Sequence, residues 1–413
     1  MVSPMPSERE HFLPVRRVDL ERLLLDDAGT AKEERQALQE FAAILTATIH
    51  DDFHQRQERL KDLYDPINPD RDTVVVRPVA ADEKALLAEL ESLLTRANYR
   101  RLPAEELNQA LNEESVFQVR LHTRLDDFAE LIIFHRGRRN RNEVLRGWFG
   151  RQRLLSVDYY SRVAIYARFQ EAPWFAAKKR LKTTFKPGTA LLKLFQDVPC
   201  ADIEMLLPNA EVRMRPKDHL LLAVPAALGG IGVVLKFAAT LAMVWFVLLA
   251  WFGLSERPRN TAEETAALVG FGLALVAIGG FAWRQLNNVK NRKLRFMKEL
   301  ADSLYYKSLD NNAGVFNRVL DEAEEEDAKE ALLAYFFLHR TSQPVSEAEL
   351  DTRIETWFRD TVKIEVDFEI DDALEKLARF KLAIKEGERW RAVPLTEAKR
   401  VLDERWDNKF TFA

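Results

Sequence analysis

Cysteine is nearly absent from this sequence of 413 residues, and Cys200 is its one instance. A single thiol excludes an intramolecular disulfide framework and a cysteine-based zinc site. The chain also lacks a strong excess of charge of one sign, because 61 basic and 65 acidic side chains give a formal net charge of -4. Such a balance favours no class of charged partner. The first residues, MVSPMPSEREHF, lack a basic region followed by an apolar stretch, so we expect neither a signal nor a transit peptide.

Two long apolar runs stand out in a chain of which 31% of the residues are charged. Phe237 to Leu254 and Thr265 to Trp283 hold 18 and 19 residues without a charge. As helices they measure about 27 and 28 Å, close to the roughly 30 Å hydrocarbon thickness of a bilayer. The polar residues 255–264 between them have the length of a turn. We therefore expect a two-helix transmembrane hairpin within residues 211–290.

The residues beside these runs predict an orientation and a packing surface. Basic residues flank the hairpin at both of its ends, and the positive-inside rule then places both termini in the cytoplasm. Residues 220–235 are apolar but contain proline and glycine, so we expect an interfacial or re-entrant lead-in whose course stays open. Ala266, Gly270 and Ala274 form a ridge of small residues, which favours close helix packing within the hairpin or in a homo-oligomer.

Residues 1–210 have the pattern of a cytoplasmic α+β domain. Apolar side chains at helical spacing predict a long amphipathic helix from Glu33 to Leu63. β-Branched and aromatic runs predict strands at 74–76, 128–135, 157–169, 190–195 and 212–214. Helices that precede strands in this way are typical of the α+β class.

After the apolar pair we expect a helical connector at 291–326 and a winged-helix-like domain at 327–413. The pattern is a helix, a second helix that starts with the capping sequence SEAE at Ser346, a third from Asp367, and two short strands around Gly387. In a winged helix the third helix contacts DNA through its first residues, but here those residues are rich in carboxylates. A protein partner is therefore favoured, and nucleic acid is disfavoured.

Two sets of residues are candidates for a chemical role. Basic side chains interleaved with tryptophan can bind phosphate groups, as of lipid or nucleic acid, or can form a solvated surface that pairs with acidic neighbours. The candidate contacts are Arg136, Arg138, Arg139, Arg141, Trp148, Lys178, Lys179 and Arg180. His50 and His54 lie one helical turn apart and could ligate a metal, or could lie half-exposed on the helix surface. No third ligand is identifiable, so we predict no metal, no cofactor and no catalytic residue.

Several long segments resemble one family. These segments are REHFLPV, LLKLFQDVPCADIEMLLPNAEVRM, YYKSLDNNAGV and DEAEEEDAKEALLAYFFL. They are similar, over nearly the whole chain, to the family that includes transmembrane protein 143, grouped as domain of unknown function 3754. The resemblance implies a protein of bacteria or, in eukaryotes, one associated with mitochondria, and it implies no catalytic residues. With no transit peptide, a member in the bacterial inner membrane is expected.

The sequence thus predicts an α+β membrane protein with one main function and two alternatives. The main hypothesis is a non-enzymatic inner-membrane scaffold or interaction protein that contacts membrane lipid and binds a protein through its C-terminal domain. The alternative is a membrane-tethered nucleic-acid-binding regulator that uses the winged-helix-like domain. The third hypothesis is a metal-dependent enzyme that uses His50 and His54.

Overall fold

The computed structural model describes residues 11–26, 32–103, 105–107, 120–146, 152–180, 185–213, 245, 249, 252–253, 261–341 and 343–410. The α-helices in these ranges are α1 (Arg17–Asp26), α2 (Lys32–Tyr64), α3 (Glu83–Arg96), α4 (Ala172–Ala177), α5 (Thr261–Lys307), α6 (Ala313–His339), α7 (Glu347–Trp357), α8 (Ile370–Arg379) and α9 (Leu395–Asp407). The strands are β1 (Arg100–Arg101), β2 (Arg120–His122), β3 (Phe128–Arg146), β4 (Gln152–Phe169), β5 (Ala190–Pro199), β6 (Glu211–Arg213), β7 (Ser308–Asn311), β8 (Val345–Ser346), β9 (Ala383–Glu386) and β10 (Arg389–Ala392).

The largest sheet has five antiparallel strands in the order β1-β3-β4-β5-β7. Its centre is a long hairpin in which β3 pairs with β4 from Phe128 opposite Phe169 to Arg146 opposite Gln152. The edge strand β7 comes from a distant part of the chain and pairs with β5 through Lys193 and Asn311. Residues far apart in sequence therefore complete one sheet.

The helix α2 confirms the long amphipathic helix that the apolar spacing predicts. Its apolar stripe is buried, with exposed fractions of 4% or less at Leu38, Phe41, Leu45, Ile49 and Phe53. This stripe packs in the same core as the apolar residues of α6. Burial of one face explains the helix better than propensity, because long helices in proteins owe most of their stability to such packing.

Helix α6 lies at the centre of this core. All residues from Glu326 to Phe336 are buried, which means that neighbours cover every face of the helix there. The ring of Tyr335 stacks on Phe41 of α2 with a centroid separation of 4.1 Å, and the Tyr335 hydroxyl donates to the carbonyl of Val393, 2.9 Å away. One residue of α6 thus joins the N-terminal helices to the C-terminal end of the chain.

The C-terminal elements follow the order helix α6, strand β8, helices α7 and α8, hairpin β9–β10 and helix α9. The three strands form a small antiparallel sheet in the order β8-β10-β9. This order agrees with the predicted sequence of elements, and the assignment to a winged-helix-like domain stays a prediction. Ser346 precedes α7, and its side chain accepts a hydrogen bond from the backbone N–H of Glu349 at 3.3 Å, as the SEAE sequence predicts.

By its contacts the chain groups into two compact units. The first consists of residues 1–111, 125–203 and 307–413, and the second of residues 112–124 and 204–306. In the second unit β2 pairs with β6, and α5 is its long helix. The predicted domain limits at 210, 290 and 326 stay a prediction. The two compact units do not show which segments fold independently.

The apolar run Thr265 to Trp283 does not form a separate short helix. It is the first part of α5, which continues without a break from Thr261 to Lys307 and places several cations after the apolar residues. In the part of the chain that the structure describes, no helix combines the length and hydrophobicity that a membrane crossing requires. This finding contradicts the predicted α+β membrane class, the transmembrane hairpin and the location in a bacterial inner membrane with cytoplasmic termini. What remains is a mixed α+β fold.

Other segments of the predicted hairpin cannot be compared in the same way. Residues 220–235 and most of Phe237 to Leu254 lie outside the described residues. The ridge residues Ala266, Gly270 and Ala274 lie on α5.

The strand predicted at residues 74–76 is wrong. Val74 and Val76 lie in an irregular segment with exposed fractions of 88% and 87%, and no described strand pairs with them. β-Branched side chains favour a strand only where a sheet face and a neighbouring strand are available. The strands predicted at 128–135, 157–169 and 190–195 are confirmed, within longer strands.

Candidate functional site

Arg136 of the predicted basic set is buried in the interior. Its guanidinium donates to the carbonyl of Ala97 at 3.0 Å and pairs with Glu322 at 3.1 Å. The same group lies over the rings of Phe12 and Tyr99, at 4.2 and 4.8 Å from their centroids. With an exposed fraction of 7%, Arg136 joins segments of the fold and is not placed to meet a phosphate group from solvent.

The other described members of the basic set lie nearer the surface. Arg138 pairs with Asp158 and Arg141 with Asp197, both at 2.9 Å, and Arg180 pairs with Asp127. Arg139, Lys178 and Lys179 are exposed, and Trp148 lies outside the described residues. These pairs with acidic neighbours are what the second interpretation, a solvated basic surface, predicts. Phosphate contact by the exposed members stays a prediction.

His50 and His54 lie on the exposed side of α2. The Nδ1 atom of His50 is 2.9 Å from an Oε atom of Glu324 on α6, so this histidine joins two helices. Among the residues that the structure describes, no group of three or more histidine, cysteine, aspartate or glutamate side chains could hold a metal ion. Metal binding by His50 and His54 stays a prediction.

A cluster of buried charges that the sequence interpretation missed lies where α6 meets α8. We call it the ionic cluster, and it consists of Glu326, Asp327, Lys329 and Glu330 of α6 and Lys376 of α8. Their exposed fractions are 1%, 1%, 1%, 2% and 7%. Charged side chains are rarely so deeply buried unless they are paired, and each of these has at least one partner of opposite charge.

One half of the ionic cluster centres on Lys376. Its ammonium group is 2.9 Å from a carboxyl oxygen of Asp327 and also contacts Glu330. Asp327 pairs in addition with Arg96 at the end of α3. Two buried carboxyl groups therefore share one lysine and one arginine, and these contacts join three helices.

The other half of the cluster holds the beginning of the described chain. We call residues 11–15 the N-terminal strap. The backbone N–H of Leu13 donates to an Oε atom of Glu326 at 3.0 Å, and the carbonyl of Leu13 accepts from the Lys329 ammonium group at 2.7 Å. Glu326 and Lys329 also pair with each other on α6. The strap is thus held through its backbone by a buried ion pair more than 300 residues away in sequence.

The two strap residues before Leu13 also contact the folded core. The ring of Phe12 lies beneath the Arg136 guanidinium and 4.9 Å from the ammonium group of Lys329. The imidazole of His11 is 3.5 Å from a carboxyl oxygen of Asp367 and 3.3 Å from one of Glu369, just before α8. Successive strap residues therefore contact β3, α6 and the N-terminal end of α8.

Burial sets the protonation of the cluster. It raises the pKa of the Glu330 carboxyl to about 8 from an ordinary value of 4.5, although the charge of Lys376 acts in the opposite direction. Burial also raises the pKa of Glu326. For Lys376 burial favours loss of the proton, but Glu330 and Asp327 outweigh it and raise the pKa of the ammonium group. Burial thus disfavours the charged form of both glutamates, whereas the neighbouring carboxyl groups favour the charged form of Lys376.

The ionic cluster holds segments of the fold together, because its pairs connect α3, α6, α8 and the strap. Its carboxyl groups face cations and backbone groups of the same chain. One sequence signal could have revealed it, because Lys329 and Glu330 interrupt an apolar helix at positions that neighbours cover on all sides. No local sequence pattern predicts that Leu13, Arg96 and Lys376 contact these residues.

A separate shallow groove lies on the surface where α6 meets α7. It encloses about 350 Å³, and its lining residues are Phe337, Thr352, Arg353, Thr356 and Trp357. The ring of Phe337 meets Trp357 edge to face at 6.0 Å. The groove offers two aromatic rings beside one cation.

Comparison with known proteins finds that part of the chain matches a family model. No solved structure matches this chain. The matched region, residues 160–314, runs from β4 through β5 and α5 to the start of α6. These residues match the family described as "Protein of unknown function (DUF3754)".

Proposed function

We propose that this protein is a non-enzymatic interaction scaffold whose winged-helix-like part binds a protein. The observation that carries this proposal is the orientation of charge on α8. Lys376 points inward to the ionic cluster, whereas Asp371 and Asp372 stand in the first turn and are exposed or half-exposed. The helix that reads DNA in winged-helix proteins therefore presents carboxylates to solvent.

This arrangement works against nucleic acid for an electrostatic reason. Affinity for DNA depends on cations that neutralise phosphates, and the first residues of the third helix are the ones that approach them. Asp367 and Glu369 precede α8 and add to the acidic end. A protein surface carrying lysine or arginine fits this end, so the nucleic-acid alternative becomes the competing outcome of the test below.

The groove between α6 and α7 supports the same proposal. Phe337 and Trp357 present ring surface, and Arg353 stands beside them with hydrogen bonds to Glu349 at 2.6 Å and to Thr341 at 3.2 Å. Aromatic and arginine side chains are enriched at protein interfaces. The groove is therefore the surface we expect to bury an apolar side chain of the partner.

The finer family resemblance belongs to this proposal as well. We infer kinship with the family that includes transmembrane protein 143 from segments beyond residues 160–314. Two of these segments are REHFLPV, which contains the strap, and DEAEEEDAKEALLAYFFL, which contains the α6 members of the ionic cluster, and they contact each other.

Site-directed crosslinking tests the proposed function. A photoreactive residue replaces Thr352 in the groove of the full-length chain, and the matched control replaces Arg400, which is exposed on α9. We expect a discrete crosslinked protein from position 352 only, and its loss when Trp357→Ala removes one wall of the groove. Equal products from both positions would contradict the groove as a binding surface.

Fluorescence anisotropy of labelled duplex DNA tests the alternative on the same full-length protein. We expect no binding at low salt. Binding that weakens steeply with added salt, the signature of phosphate contacts, would overturn the proposal in favour of the nucleic-acid regulator.

A further inference from the structure

We propose that the N-terminal strap is an exchangeable ligand seated in a peptide-binding groove, which also accepts an extended segment of a partner with an aromatic residue followed by leucine. The groove, here called the strap groove, is formed by Glu326 and Lys329 of α6, Arg136 of β3, and Asp367 and Glu369 ahead of α8. It is a second surface, separate from the groove at Trp357, and it does not rest on the function proposed above.

The strap groove recognises the main chain of its occupant. Both polar backbone groups of Leu13 are bound by charged side chains, the N–H by Glu326 and the carbonyl by Lys329. Hydrogen bonds to charged groups are stronger than those between neutral groups. Because they involve backbone atoms, any extended peptide can form them, and they supply affinity without sequence preference.

Sequence preference comes from the side chains on either side. Leu13 has an exposed fraction of 0% and packs in the main core, so the groove contains a pocket for one aliphatic side chain. Phe12 meets the cations of Arg136 and Lys329 at 4.2 and 4.9 Å. A cation over the face of a ring favours an aromatic residue at this position. His11 faces two carboxyl groups, which favours a basic residue or a hydrogen-bond donor ahead of the aromatic one.

The groove keeps its charges paired without the strap. Glu326 retains Lys329 on its own helix and Asn98 at 3.4 Å. Arg136 retains Glu322 at 3.1 Å and the carbonyl of Ala97 at 3.0 Å. Removing one member of a buried pair is costly because the other charge is left without a partner. When the strap leaves, Glu326 still has Lys329 and Arg136 still has Glu322. Partners other than the strap therefore hold the charged walls of the groove on α6 and β3.

Hydrogen exchange of the unmodified full-length chain tests whether the strap detaches. We expect the amide of Leu13 to exchange about 100-fold faster than the amides of Ala331 to Tyr335 in α6, because local opening precedes global unfolding. Equal protection of the two sets would mean that the strap leaves only when the protein unfolds, and the proposal would be overturned.

A peptide with the sequence of residues 9–17, REHFLPVRR, carrying a fluorescent label, tests the groove as a binding site. Its receptor is the full-length double variant Phe12→Ala Leu13→Ala, in which the resident strap competes poorly. We expect the double variant to bind the peptide at least about tenfold more tightly than the natural chain does, a difference of 1.4 kcal/mol. The same peptide with both alanines is the matched control and should bind neither protein.

Two results would overturn the peptide site. Equal binding of the labelled peptide to both proteins, or no binding to a double variant that retains its circular dichroism spectrum, contradicts an exchangeable occupant. If the double variant does not fold, hydrogen exchange of the natural chain decides the question. Crosslinking from position 352 reports the other groove, so failure of either proposal is distinguishable from failure of the other.

Discussion

Lys376 shows at the scale of a single residue why the buried charges of this protein come as a set. Its ammonium group is almost fully withdrawn from water, with 7% exposed, and its partners Asp327 and Glu330 are withdrawn further. Placing an ion in the interior costs several kcal/mol, and only close partners offset that cost. Removal of one member therefore has a larger effect than the pair itself contributes to stability.

The change Lys376→Met tests this account. We expect it to lower the free energy of unfolding by about 3–5 kcal/mol, because two buried carboxyl groups lose their shared cation. Urea denaturation of the full-length chain measures the change. Lys385→Met is the matched control, since Lys385 is exposed and pairs with Glu347 at 3.4 Å, and it should cost less than about 1 kcal/mol. Addition of Glu330→Met to Lys376→Met should recover part of the loss, and a double variant less stable than the single one would contradict the account.

Glu330 predicts a dependence of stability on pH. Burial raises the pKa of its carboxyl to about 8, against an ordinary value of 4.5 in the unfolded chain. Between these pH values the folded state binds the proton more tightly than the unfolded state, so its contribution is complete below pH 4.5 and falls as the pH rises towards 8. Urea denaturation at a series of pH values should show this fall, and Glu330→Gln should flatten it. Glu404→Gln, an exposed change on α9, is the control, and a slope unchanged by Glu330→Gln would assign the proton to another group.

At the scale of elements, local sequence predicts where a helix starts better than it predicts how long the helix is. Ser346 caps α7 as its sequence indicates, and Asp82 caps α3 in the same way through the N–H of Ala85 at 3.0 Å. The length of α5 was not foreseen, because the apolar run and the charged run that follows it form one continuous helix. The glycine pair Gly279 and Gly280 lies just before the junction at Trp283, yet the helix continues through it.

The cap of α7 gives a prediction at this scale. Ser346→Ala should cost about 1 kcal/mol of stability, because the N–H of Glu349 loses its acceptor at the start of the helix. Ser346→Asp retains an acceptor and adds a charge that favours the helix N-terminus, so it should be at least as stable as the natural chain. Thermal denaturation of both variants measures the difference. An alanine variant as stable as the aspartate variant would show that the cap is not needed here.

At the scale of the whole molecule, long-range closure joins the two ends of the chain. β7 adds to the edge of the central sheet, the strap binds α6, and Glu40 of α2 meets Lys399 of α9 at 2.7 Å. The first compact unit therefore contains both the first and the last described residues. Apart from the strap, which we propose detaches by itself, such a unit should lose its structure in one cooperative step.

Phe41→Ala tests this cooperativity. The ring is fully buried against Tyr335, and its removal should cost about 3–5 kcal/mol. Because α6 carries the effect, amides of α8 and α9 should exchange faster in the variant, although Phe41 lies more than 300 residues earlier in sequence. Val75→Ala, a change at an exposed position, is the control and should shift stability by no more than about 0.5 kcal/mol. Faster exchange confined to α2 would contradict a shared core.

The sequence by itself determined those features of this protein that arise from neighbouring residues. The stripe from Leu38 to Leu60 specified α2, alternating apolar residues specified most of β4, and SEAE specified the start of α7. Helical periodicity, strand alternation and capping all act within one or two turns of chain. The acidic start of α8 was likewise visible in the order of the residues.

Tertiary structure alone decided which charges are inside. Arg136 and Arg138 look alike in sequence, yet the first is buried between Phe12, Tyr99 and Glu322 while the second is exposed. Val74 to Val76 have strand propensity but no partner strand, and the apolar half of α5 belongs to a longer helix. In each case the outcome depends on residues far away in the chain, because burial and pairing are properties of the assembled core and not of the local sequence.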